Sequence, residues 1–257
     1  MNNCSLFCFC GRTAIVTGAA GGIGTATAHN LANQGADLIL VDIKEKELKE
    51  VAETIKSKYN KSVETICCDL SKEEEVKELF NKAVEKSHNK KIDILVNNAG
   101  LFKRDGWNTG TDEYYLHLAM KINFEAQFIL CKDAVKHMAK NNYGRIVNIA
   151  SIYAYSGGIK YASYCASKSA ILGLTKSLAL EYAKSGVTLN AIAPGIIDTP
   201  MLSTFSDEEM NCYHNTIPLG RLGKPQDIAN AITFLCSEES EYITGSVMHV
   251  NGGLVMY

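Results

Sequence analysis

Short runs of apolar and β-branched residues alternate along the whole chain with longer stretches in which apolar residues recur at helical spacing. Several of the short runs are almost continuously apolar, which is typical of strands that are covered on both faces. On this basis we predict strands at Thr13–Val16, Asp37–Val41, Val63–Cys67, Ile92–Asn97, Arg145–Ile149, Val187–Ile192 and Val247–Val250.

The strict alternation of strand and helix predicts the fold class. Strands that are joined through helices form parallel sheets with right-handed crossovers. We therefore predict an α/β protein with a doubly wound parallel sheet between two layers of helices, in three layers α/β/α. No repeat, low-complexity tract or linker interrupts residues 1–257, so the sequence predicts a single domain.

Three features of the helical stretches lead to specific predictions. A helix over Ser71–Ser87 opens with Ser71 and Glu74 at the spacing of a capping box. The lysine- and glutamate-rich stretch 44–61 carries mixed charges at helical spacing, which indicates a solvated outer face rather than a partner-binding surface. The segment Asp198–Pro218 follows a strand, is poorly periodic and carries several large apolar residues, so we expect an irregular active-site lid.

Composition excludes several classes of function. The chain of 257 residues has 26 basic and 28 acidic residues, a balance that favours neither nucleic acid nor an anionic membrane as partner. No apolar run reaches the ~20 residues that a membrane span requires, and the N-terminus lacks the basic region of a signal peptide. We expect a soluble, cytoplasmic protein that acts on a small molecule.

The cysteines point to a reducing compartment. There are nine, an odd and scattered set that suits small buried apolar residues better than a disulfide framework. Cys4, Cys8 and Cys10 could be metal ligands, but no second Cys/His cluster lies near them in the sequence to complete a tetrahedral site. We therefore expect no metal site.

The turn after the first predicted strand is rich in glycine. It carries Gly18, Gly22 and Gly24 and opens the first helix, which runs towards Gln34. Glycines there permit a tight turn and let the backbone approach a pyrophosphate at the positive end of the helix. Any strand-to-helix turn can use glycine, but the position after the first strand favours a dinucleotide site.

Asp42 ends the second predicted strand, eighteen residues beyond Gly24. A carboxylate at that place can accept hydrogen bonds from the adenosine ribose hydroxyls and repels a 2′-phosphate. No Arg or Lys occupies the glycine-rich turn to attract such a phosphate. The alternative is an ordinary polar residue at a strand end. We expect NAD as the cofactor.

Tyr164 and Lys168 are four residues apart and therefore share one face of a helix. A free tyrosine has a pKa near 10, and lowering that pKa to about 7 requires ~4 kcal/mol of preferential phenolate stabilisation. An ammonium group at ~4 Å supplies a Coulomb energy of that order at an effective dielectric constant near 20. Tyr164 is thus a candidate general acid and base. Tyr161 lacks such a lysine partner, because Cys165 is its i+4 neighbour.

Five motifs in register resemble those of the short-chain dehydrogenase/reductase family over almost the whole chain. They are Gly18-x3-Gly22-x-Gly24, Asn97-Asn98-Ala99-Gly100 after the fourth strand, Ser151 after the fifth, Tyr164-Cys165-Ala166-Ser167-Lys168 on the next helix, and Pro194-Gly195 after the sixth.

This resemblance implies a Rossmann fold and roles for individual residues. Ser151 would polarise the substrate oxygen, Lys168 would also hold the nicotinamide ribose, and Asn123 would support a proton-relay water. Alternatively, Asn123 could have only a structural role, as a cap or as a space-filling residue. The residues expected at the cofactor are Gly18, Gly22, Ile23, Gly24, Asp42, Asp69, Leu70, Asn97, Ala99, Gly100, Tyr164, Lys168, Pro194, Gly195, Ile197 and Thr199.

Among these, Asp69 resembles the family residue that contacts adenine, and Ile197 and Thr199 resemble the pair that holds the carboxamide. Asn97 could brace the sheet instead of lining the coenzyme cleft. The resemblance also implies a homotetramer through the two long helices, here Asp112–Lys140 and Tyr161–Lys184. Its contact stripe would be Leu174, Leu178 and Tyr182, unless these residues simply pack on the sheet.

The function expected from these observations is hydride transfer between NAD(H) and a secondary alcohol or its ketone, with a small alcohol, polyol or sugar as substrate. Alternatives within the family are a 3-oxoacyl-acyl-carrier-protein reductase, for which Lys103, Arg104 and Lys160 could provide a basic surface, and a hydroxysteroid dehydrogenase. A non-catalytic dinucleotide sensor or a methyltransferase would leave the Tyr164/Lys168 pair unexplained. The substrate pocket could be formed by Phe102, Tyr153, Tyr155, Tyr161, Phe205 and Tyr213.

Overall fold

The computed structural model describes residues 6–104 and 112–256. It contains a sheet of seven parallel strands. The predicted fold class is confirmed, and each predicted strand is present within one or two residues of its expected ends. The strands are β1 (Thr13–Thr17), β2 (Asp37–Asp42), β3 (Val63–Cys67), β4 (Ile94–Asn97), β5 (Gly144–Ile149), β6 (Val187–Pro194) and β7 (Val247–Val250).

The strand order creates a crevice at one edge of the sheet. The order is β3-β2-β1-β4-β5-β6-β7, so the direction of winding reverses between β1 and β4. These two strands pair directly, with Ile15 opposite Leu95. The connections beyond their carboxyl ends leave to opposite sides, and ligands of open α/β sheets bind at such a point.

Helices connect the strands on both faces of the sheet. Between the two described parts of the chain, residues 105–111 are not described. The α-helices are α1 (Gly22–Asn33), α2 (Glu45–Tyr59), α3 (Glu73–Lys86), α4 (Asp112–Met120), α5 (Ala126–Lys140), α6 (Tyr153–Ser156), α7 (Ala162–Tyr182), α8 (Asp207–Thr216) and α9 (Pro225–Cys236).

The alternation of side chains along the buried strands divides the core into two layers. On β1, Val16 belongs to the core under α1, α2 and α9, whereas its neighbour Ile15 belongs to the core under α3, α5 and α7. On β2, Leu40 and Val41 are divided in the same way. This is the three-layer arrangement that the continuously apolar strands predict.

The capping box predicted at Ser71 and Glu74 is wrong. The helix α3 begins at Glu73, two residues later than predicted, and Lys72 precedes it without a side-chain cap. The Ser71 hydroxyl donates instead to the Asp69 carboxylate at 2.7 Å, and Glu75 accepts from the Asp69 backbone N–H at 2.9 Å. The Ser71 hydroxyl binds the nearby Asp69 carboxylate, two residues before it, and therefore does not cap the helix.

The segment Asp198–Pro218 is largely helical rather than irregular as predicted. A 3₁₀ turn at Pro200–Thr204 leads into α8. Ser206 and Glu209 form a capping box at the start of α8, with the Ser206 hydroxyl accepting from the Glu209 backbone and the Glu209 carboxylate accepting from the Ser206 backbone. No residue of α8 is buried, which explains why no apolar period in the sequence revealed this helix.

The predicted contact stripe on α7 packs inside the subunit. Leu174 is buried in the core with the strands, and Leu178 and Tyr182 pack against the same core. The apolar side chains that α5 and α7 expose are Phe128 and Leu180. Within residues 6–104 and 112–256, no helix combines the length and hydropathy needed to cross a bilayer.

Candidate active site at the carboxyl edge of the sheet

The glycine-rich turn connects β1 to α1 with very close backbone packing. Gly18 has a positive φ of 64°, and a Cβ on it would lie 2.8 Å from the Cα of Ala99. A Cβ on Gly24 would overlap the carbonyl oxygen of Gly18. The N-cap of α1, Gly21, offers no side-chain hydrogen bond, so the first N–H groups of the helix face the cleft unscreened by any capping side chain. This cradle fits a pyrophosphate.

Asn98 fastens this turn to the end of β4. Its side-chain amide donates to the carbonyl oxygens of Thr17 and Gly18 at 2.9 and 3.1 Å. The Thr17 hydroxyl in turn accepts from the backbone N–H groups of Asn98 and Ala99. The two strand ends on either side of the crevice are thereby held together, and Asn98 lines the cleft.

Asn97, which the sequence analysis placed at the cofactor, lies beneath the cleft and does not line it. It is fully buried and donates to Asn148 at 2.9 Å and to the thiol of Cys131 at 3.3 Å. Asn148 donates to Thr175 on α7, so the network joins β4, β5 and α7. Of the two roles considered for Asn97, bracing of the sheet is the one that its contacts support.

Asp42, which the sequence analysis predicted to bind the adenosine ribose, lines the cleft. One oxygen of its carboxylate accepts from the backbone N–H of Ala20 at 3.0 Å, and the other accepts from that of Lys44 at 3.0 Å. These contacts hold the carboxylate beside the glycine-rich turn. Each oxygen keeps a lone pair that could accept from a ribose hydroxyl.

Asp69 and Leu70 follow β3 and line the same end of the cleft. Burial acts to raise the pKa of Asp69, but hydrogen bonds from the hydroxyl and the backbone N–H of Ser71 outweigh it and lower that pKa overall. Asp69 is therefore an ionised acceptor whose orientation is fixed by Ser71.

The opposite wall of the cleft follows β6. Pro194, Gly195, Ile197 and Thr199 all line it, as predicted. A Cβ on Gly195 would lie 2.7 Å from the Cα of Asn251, so only glycine lets the segment after β7 approach this closely. The methyl group of Thr199 lies against Gly22, which brings this wall next to the glycine-rich turn.

These elements enclose one cleft of about 710 Å³. Of the residues predicted at the site, the structure brings together all but Gly24, Asn97 and Asn123, which support the walls without lining them. Most of the lining residues that the sequence analysis missed adjoin a motif residue or a strand end, and their position beside a motif is the only signal that could have revealed them. They are Ala20, Gly21, Val41, Ile43, Lys44, Cys68, Leu101, Ile122, Ile149, Ala150, Ile196, Pro200 and Leu202.

Ser151 and Tyr164 meet at the inner end of the cleft. Ser151 follows β5, and its hydroxyl accepts from the backbone N–H of Tyr153 at 3.2 Å. The side chains of Ser151 and Tyr164 are hydrogen-bonded to each other. The two hydroxyl groups can therefore contact one substrate oxygen together.

Lys168 is almost completely buried below Tyr164 on α7. Its Nζ donates to the carbonyl oxygen of Ile149 at 2.7 Å and lies 5.9 Å from the centre of the Tyr164 ring. Burial lowers the pKa of Lys168 to about 8. A Cβ on Gly100 would lie 3.3 Å from Nζ, so the glycine leaves the ammonium group open towards the cleft.

The structure does not show the lowered tyrosine pKa that the sequence analysis predicted. Burial raises the pKa of Tyr164 to about 12, and the hydrogen bond from Ser151 offsets only part of this increase. Lys168 does not lower the pKa because its ammonium group is directed at Ile149 rather than at the phenol oxygen. Proximity along the helix alone did not determine where the lysine side chain points.

Asn123 lies in a π-helical turn, Lys121–Glu125, that joins α4 to α5. Such turns often occur at functional sites. The Asn123 side chain accepts from the Leu101 N–H at 2.7 Å, and donates to the Leu101 carbonyl at 2.9 Å and to the Ser167 hydroxyl at 2.9 Å. Its direct effect is to fix the backbone after Gly100 against α7.

Of the six aromatic residues expected around the substrate, Phe102, Tyr153 and Phe205 line the cleft. Tyr161 and Tyr213 contact these rings from outside. Tyr155 belongs elsewhere, because its ring packs on His249 of β7 at 4.9 Å.

Comparison with known proteins agrees with this geometry. A family model described as enoyl-(acyl carrier protein) reductase matches residues 18–255. The 3-oxoacyl-[acyl-carrier-protein] reductase of Rickettsia bellii is 43% identical over 246 residues, which are 96% of this chain and 98% of that protein. The chain belongs to the short-chain dehydrogenase/reductase family.

Two solved structures are similar over nearly their whole length. A 7α-hydroxysteroid dehydrogenase complexed with NADH and 7-oxo-glycochenodeoxycholic acid has a TM-score of 0.92 and 32% identity, covering 100% of this chain and 99% of that one. A Beutenbergia cavernae protein named as a candidate NAD(P)-dependent gluconate 5-dehydrogenase, with NADP at low occupancy, has a TM-score of 0.91 and 34% identity, covering 97% and 99%. Membership of the family makes the chain an oxidoreductase of CH–OH and keto groups that binds a nicotinamide dinucleotide.

Proposed function

We propose that this protein transfers hydride between NAD(H) and the carbinol or carbonyl carbon of a secondary alcohol or ketone. The observation that carries the proposal is the meeting of Ser151, Tyr164 and Lys168 in the cleft that the glycine-rich turn also lines. A dinucleotide sensor would not need a serine and a tyrosine hydroxyl beside a buried lysine at the inner end of its cleft.

The cleft offers a partner for each part of the coenzyme. The turn from Gly18 to Gly22 would hold the pyrophosphate, Asp42 the adenosine ribose, and Lys168 the nicotinamide ribose. Ile197 and Thr199 would hold the carboxamide. When bound, the nicotinamide supplies or accepts the hydride.

The side chains of the site would handle the proton. With a pKa of about 12, Tyr164 is protonated at neutral pH and is ready to donate to the carbonyl oxygen during reduction. Ser151 would orient that oxygen and stabilise the charge that develops on it. In the oxidation direction Tyr164 must lose its proton, which the positive charge of the oxidised coenzyme would favour.

Asp42 supports NAD rather than NADP, because a carboxylate repels a 2′-phosphate. We expect the unmodified enzyme to prefer NAD(H), and Asp42→Ala to narrow the preference mainly through the KM for the coenzyme. Asp37→Ala, at the other end of β2, is the matched control and should leave the preference unchanged. Steady-state kinetics with both coenzymes make the test, and equal affinity of the unmodified enzyme for both would contradict it.

A 3-oxoacyl-acyl-carrier-protein reductase is the second candidate, favoured by the relative from Rickettsia bellii. An acidic carrier would need a basic surface near the cleft. Of the residues considered for it, Arg104 is already bound to Glu209 at 2.6 Å, and Lys103 lies over the ring of Tyr115. A steroid ketone is a further candidate, because the structural neighbour with NADH carries one.

The deciding experiment measures turnover in both directions with both coenzymes. The substrates are a panel of polyols, sugar acids, hydroxysteroids and 3-oxoacyl thioesters, the last both free and on an acyl carrier protein. Turnover of any ketone or secondary alcohol supports the proposed chemistry, and dependence on the carrier would favour the second candidate. Coenzyme binding without any turnover would favour a sensor and overturn the proposal.

The wider properties expected from the sequence belong to the same proposal: one domain with a lid at about 198–218, a homotetramer, and action in the cytoplasm. No disulfide joins the eight cysteines in the described residues, which suits a reducing compartment.

A further inference from the structure

The substrate side of Tyr164 is enclosed by a closed circuit of aromatic rings. Phe102 and Tyr153 contact the Tyr164 ring at centroid distances of 5.0 and 6.4 Å. Phe205 stacks on Phe102 at 5.9 Å with an angle of 11° between the rings, and Tyr213 contacts Phe205 at 5.7 Å. The hydroxyls of Tyr213 and Tyr153, 3.0 Å apart, close the circuit. We call these five residues the aromatic circuit.

The polar atoms around this circuit bind one another. The Tyr153 and Tyr213 hydroxyls share one hydrogen bond. Outside the circuit, the guanidinium group of Arg104 contacts the Tyr161 hydroxyl, the Glu209 carboxylate at 2.6 Å and the face of Phe205. The charged pair and the hydroxyls thus stabilise the aromatic walls from behind.

This pairing decides what the walls present to a substrate. Phe102 and Phe205 line the cleft and carry no hydrogen-bonding group. Beyond the hydroxyls of Ser151 and Tyr164, which would bind the substrate oxygen, the walls formed by Phe102 and Phe205 offer ring faces and edges. A polyhydroxylated substrate would lose water here without regaining hydrogen bonds, at a cost for each unpaired hydroxyl. An apolar group would gain contact area with the rings.

We propose that the substrate carries an apolar group, an alkyl chain or an aromatic ring, next to its carbonyl or carbinol carbon, and that this group packs against Phe102 and Phe205. The inference rests on the proposed hydride transfer and deepens it by naming the substrate class. It also replaces the polyol or sugar that the sequence alone led us to expect.

The first test measures kcat/KM for ketone reduction along the series butan-2-one, hexan-2-one, octan-2-one and 4-phenylbutan-2-one. Each methylene group that reaches the rings should raise kcat/KM by up to about fourfold, the value expected for burial of one methylene. The polar comparison substrate is 5-dehydro-D-gluconate, which should be reduced more slowly than octan-2-one.

The second test assigns the preference to the aromatic circuit. Phe205→Ala and Phe102→Ala should lower kcat/KM for octan-2-one at least tenfold more than that for butan-2-one. Tyr242→Ala removes an aromatic ring that is fully exposed and outside the cleft, and should change neither value. Binding of NADH, followed by its fluorescence, should persist in all three variants and shows that they are folded.

The outcomes separate this inference from the proposed function on which it rests. The apolar substrate class would be overturned, with hydride transfer left intact, by any of three results. These are equal kcat/KM values along the alkanone series, a higher kcat/KM for 5-dehydro-D-gluconate than for octan-2-one, or equal losses of kcat/KM for octan-2-one and butan-2-one in Phe205→Ala. Absence of turnover on every ketone, with NADH still bound, would overturn the proposed function itself.

Discussion

Tyr164 shows how tertiary packing sets the chemistry of a single residue. Burial raises its pKa to about 12, and the hydrogen bond from Ser151 counteracts this only in part. The phenol is therefore a proton donor over the physiological pH range. Oxidation of an alcohol should accelerate as the pH rises, because it needs the phenolate, whereas reduction should be much less sensitive near neutral pH.

Tyr164→Phe should lower kcat by about 10²–10⁴-fold, the usual effect of losing a general acid or base. It keeps the ring, so the aromatic circuit and NADH binding should be nearly unchanged. The control is Tyr161→Phe, which removes a hydroxyl that contacts Arg104 rather than the cleft. Steady-state kinetics on both variants make the test. Near-full activity of Tyr164→Phe beside an inactive Tyr161→Phe would show that the catalytic tyrosine was misassigned.

Lys168 is a buried ammonium group whose main polar contact is one carbonyl oxygen. Its pKa is lowered to about 8 by burial. Because the folded state binds this proton less tightly than the unfolded state, the group destabilises the fold. The cost, on the order of 3 kcal/mol, is fully present below about pH 8 and disappears as the pH rises towards the ordinary lysine pKa.

Lys168→Met should therefore raise the Tm of the coenzyme-free protein by several degrees at pH 7, although it should abolish activity. Loss of the hydrogen bond to Ile149 reduces the gain by about 1 kcal/mol. The difference in Tm should shrink between pH 8 and pH 10. Thermal unfolding followed by fluorescence gives both values, and Lys176→Met, at an exposed position of α7, is the control. If Lys168→Met had a lower Tm than the unmodified protein at pH 7, the buried ammonium group of Lys168 would not be destabilising the fold.

At the scale of the elements, α8 lies behind the aromatic wall of the cleft. It carries Tyr213, follows Phe205 directly, and is fastened to the rest of the site by the Arg104–Glu209 ion pair and the Tyr153–Tyr213 hydrogen bond. Half-exposed ion pairs of this kind are worth about 1 kcal/mol or less. We propose that interactions this weak let the segment open and close around the substrate.

Glu209→Gln should loosen this wall without unfolding α8, because the amide oxygen of Gln can still accept from the Ser206 N–H at the helix start. We expect KM for the ketone to rise two- to fivefold, with little change in kcat and no change in coenzyme binding. Glu208→Gln, the exposed neighbour on the same helix, should leave KM unchanged. If Glu209→Gln and Glu208→Gln behaved alike, the ion pair would have no part in closing the site.

At the scale of the whole molecule, the outer faces of α5 and α7 expose apolar side chains that the subunit does not cover. Leu180 is 82% exposed and Phe128 is 46% exposed. Isolated apolar residues are common on protein surfaces. Two on neighbouring long helices nevertheless suit a contact with a second copy of the chain, in line with the homotetramer that the family resemblance implies.

Leu180→Glu should weaken this assembly, because it would bury a charge in the contact. Light scattering at micromolar concentration should give a tetramer, or at least a dimer, for the unmodified protein and a smaller mass for the variant. Tyr242→Glu alters an exposed aromatic residue that lies outside α5 and α7, and this variant should retain the mass of the unmodified protein. A monomeric unmodified protein would refute the prediction.

The sequence alone determined the sheet, the position of the glycine-rich turn and the pairing of Tyr164 with Lys168 along one helix. Parallel strands buried on both faces are recognisable because most of their positions are apolar, so β1 and β5 were predicted from local pattern. Gly18 and Gly24 could be recognised from the sequence because a tight strand-to-helix turn leaves no room for a side chain at these positions. Tyr164 and Lys168 are linked by helical spacing, which is also local.

Tertiary structure alone decided the properties that depend on long-range partners. Ser71 binds Asp69 instead of capping α3, Leu174 faces the core instead of a second subunit, and Asn97 braces the sheet instead of lining the cleft. The pKa of Tyr164 rises because burial outweighs the hydrogen bond from Ser151, and the Lys168 ammonium group points to Ile149 instead of the phenol oxygen. The aromatic circuit joins residues from three distant segments, so its apolar walls exist only once the chain has folded.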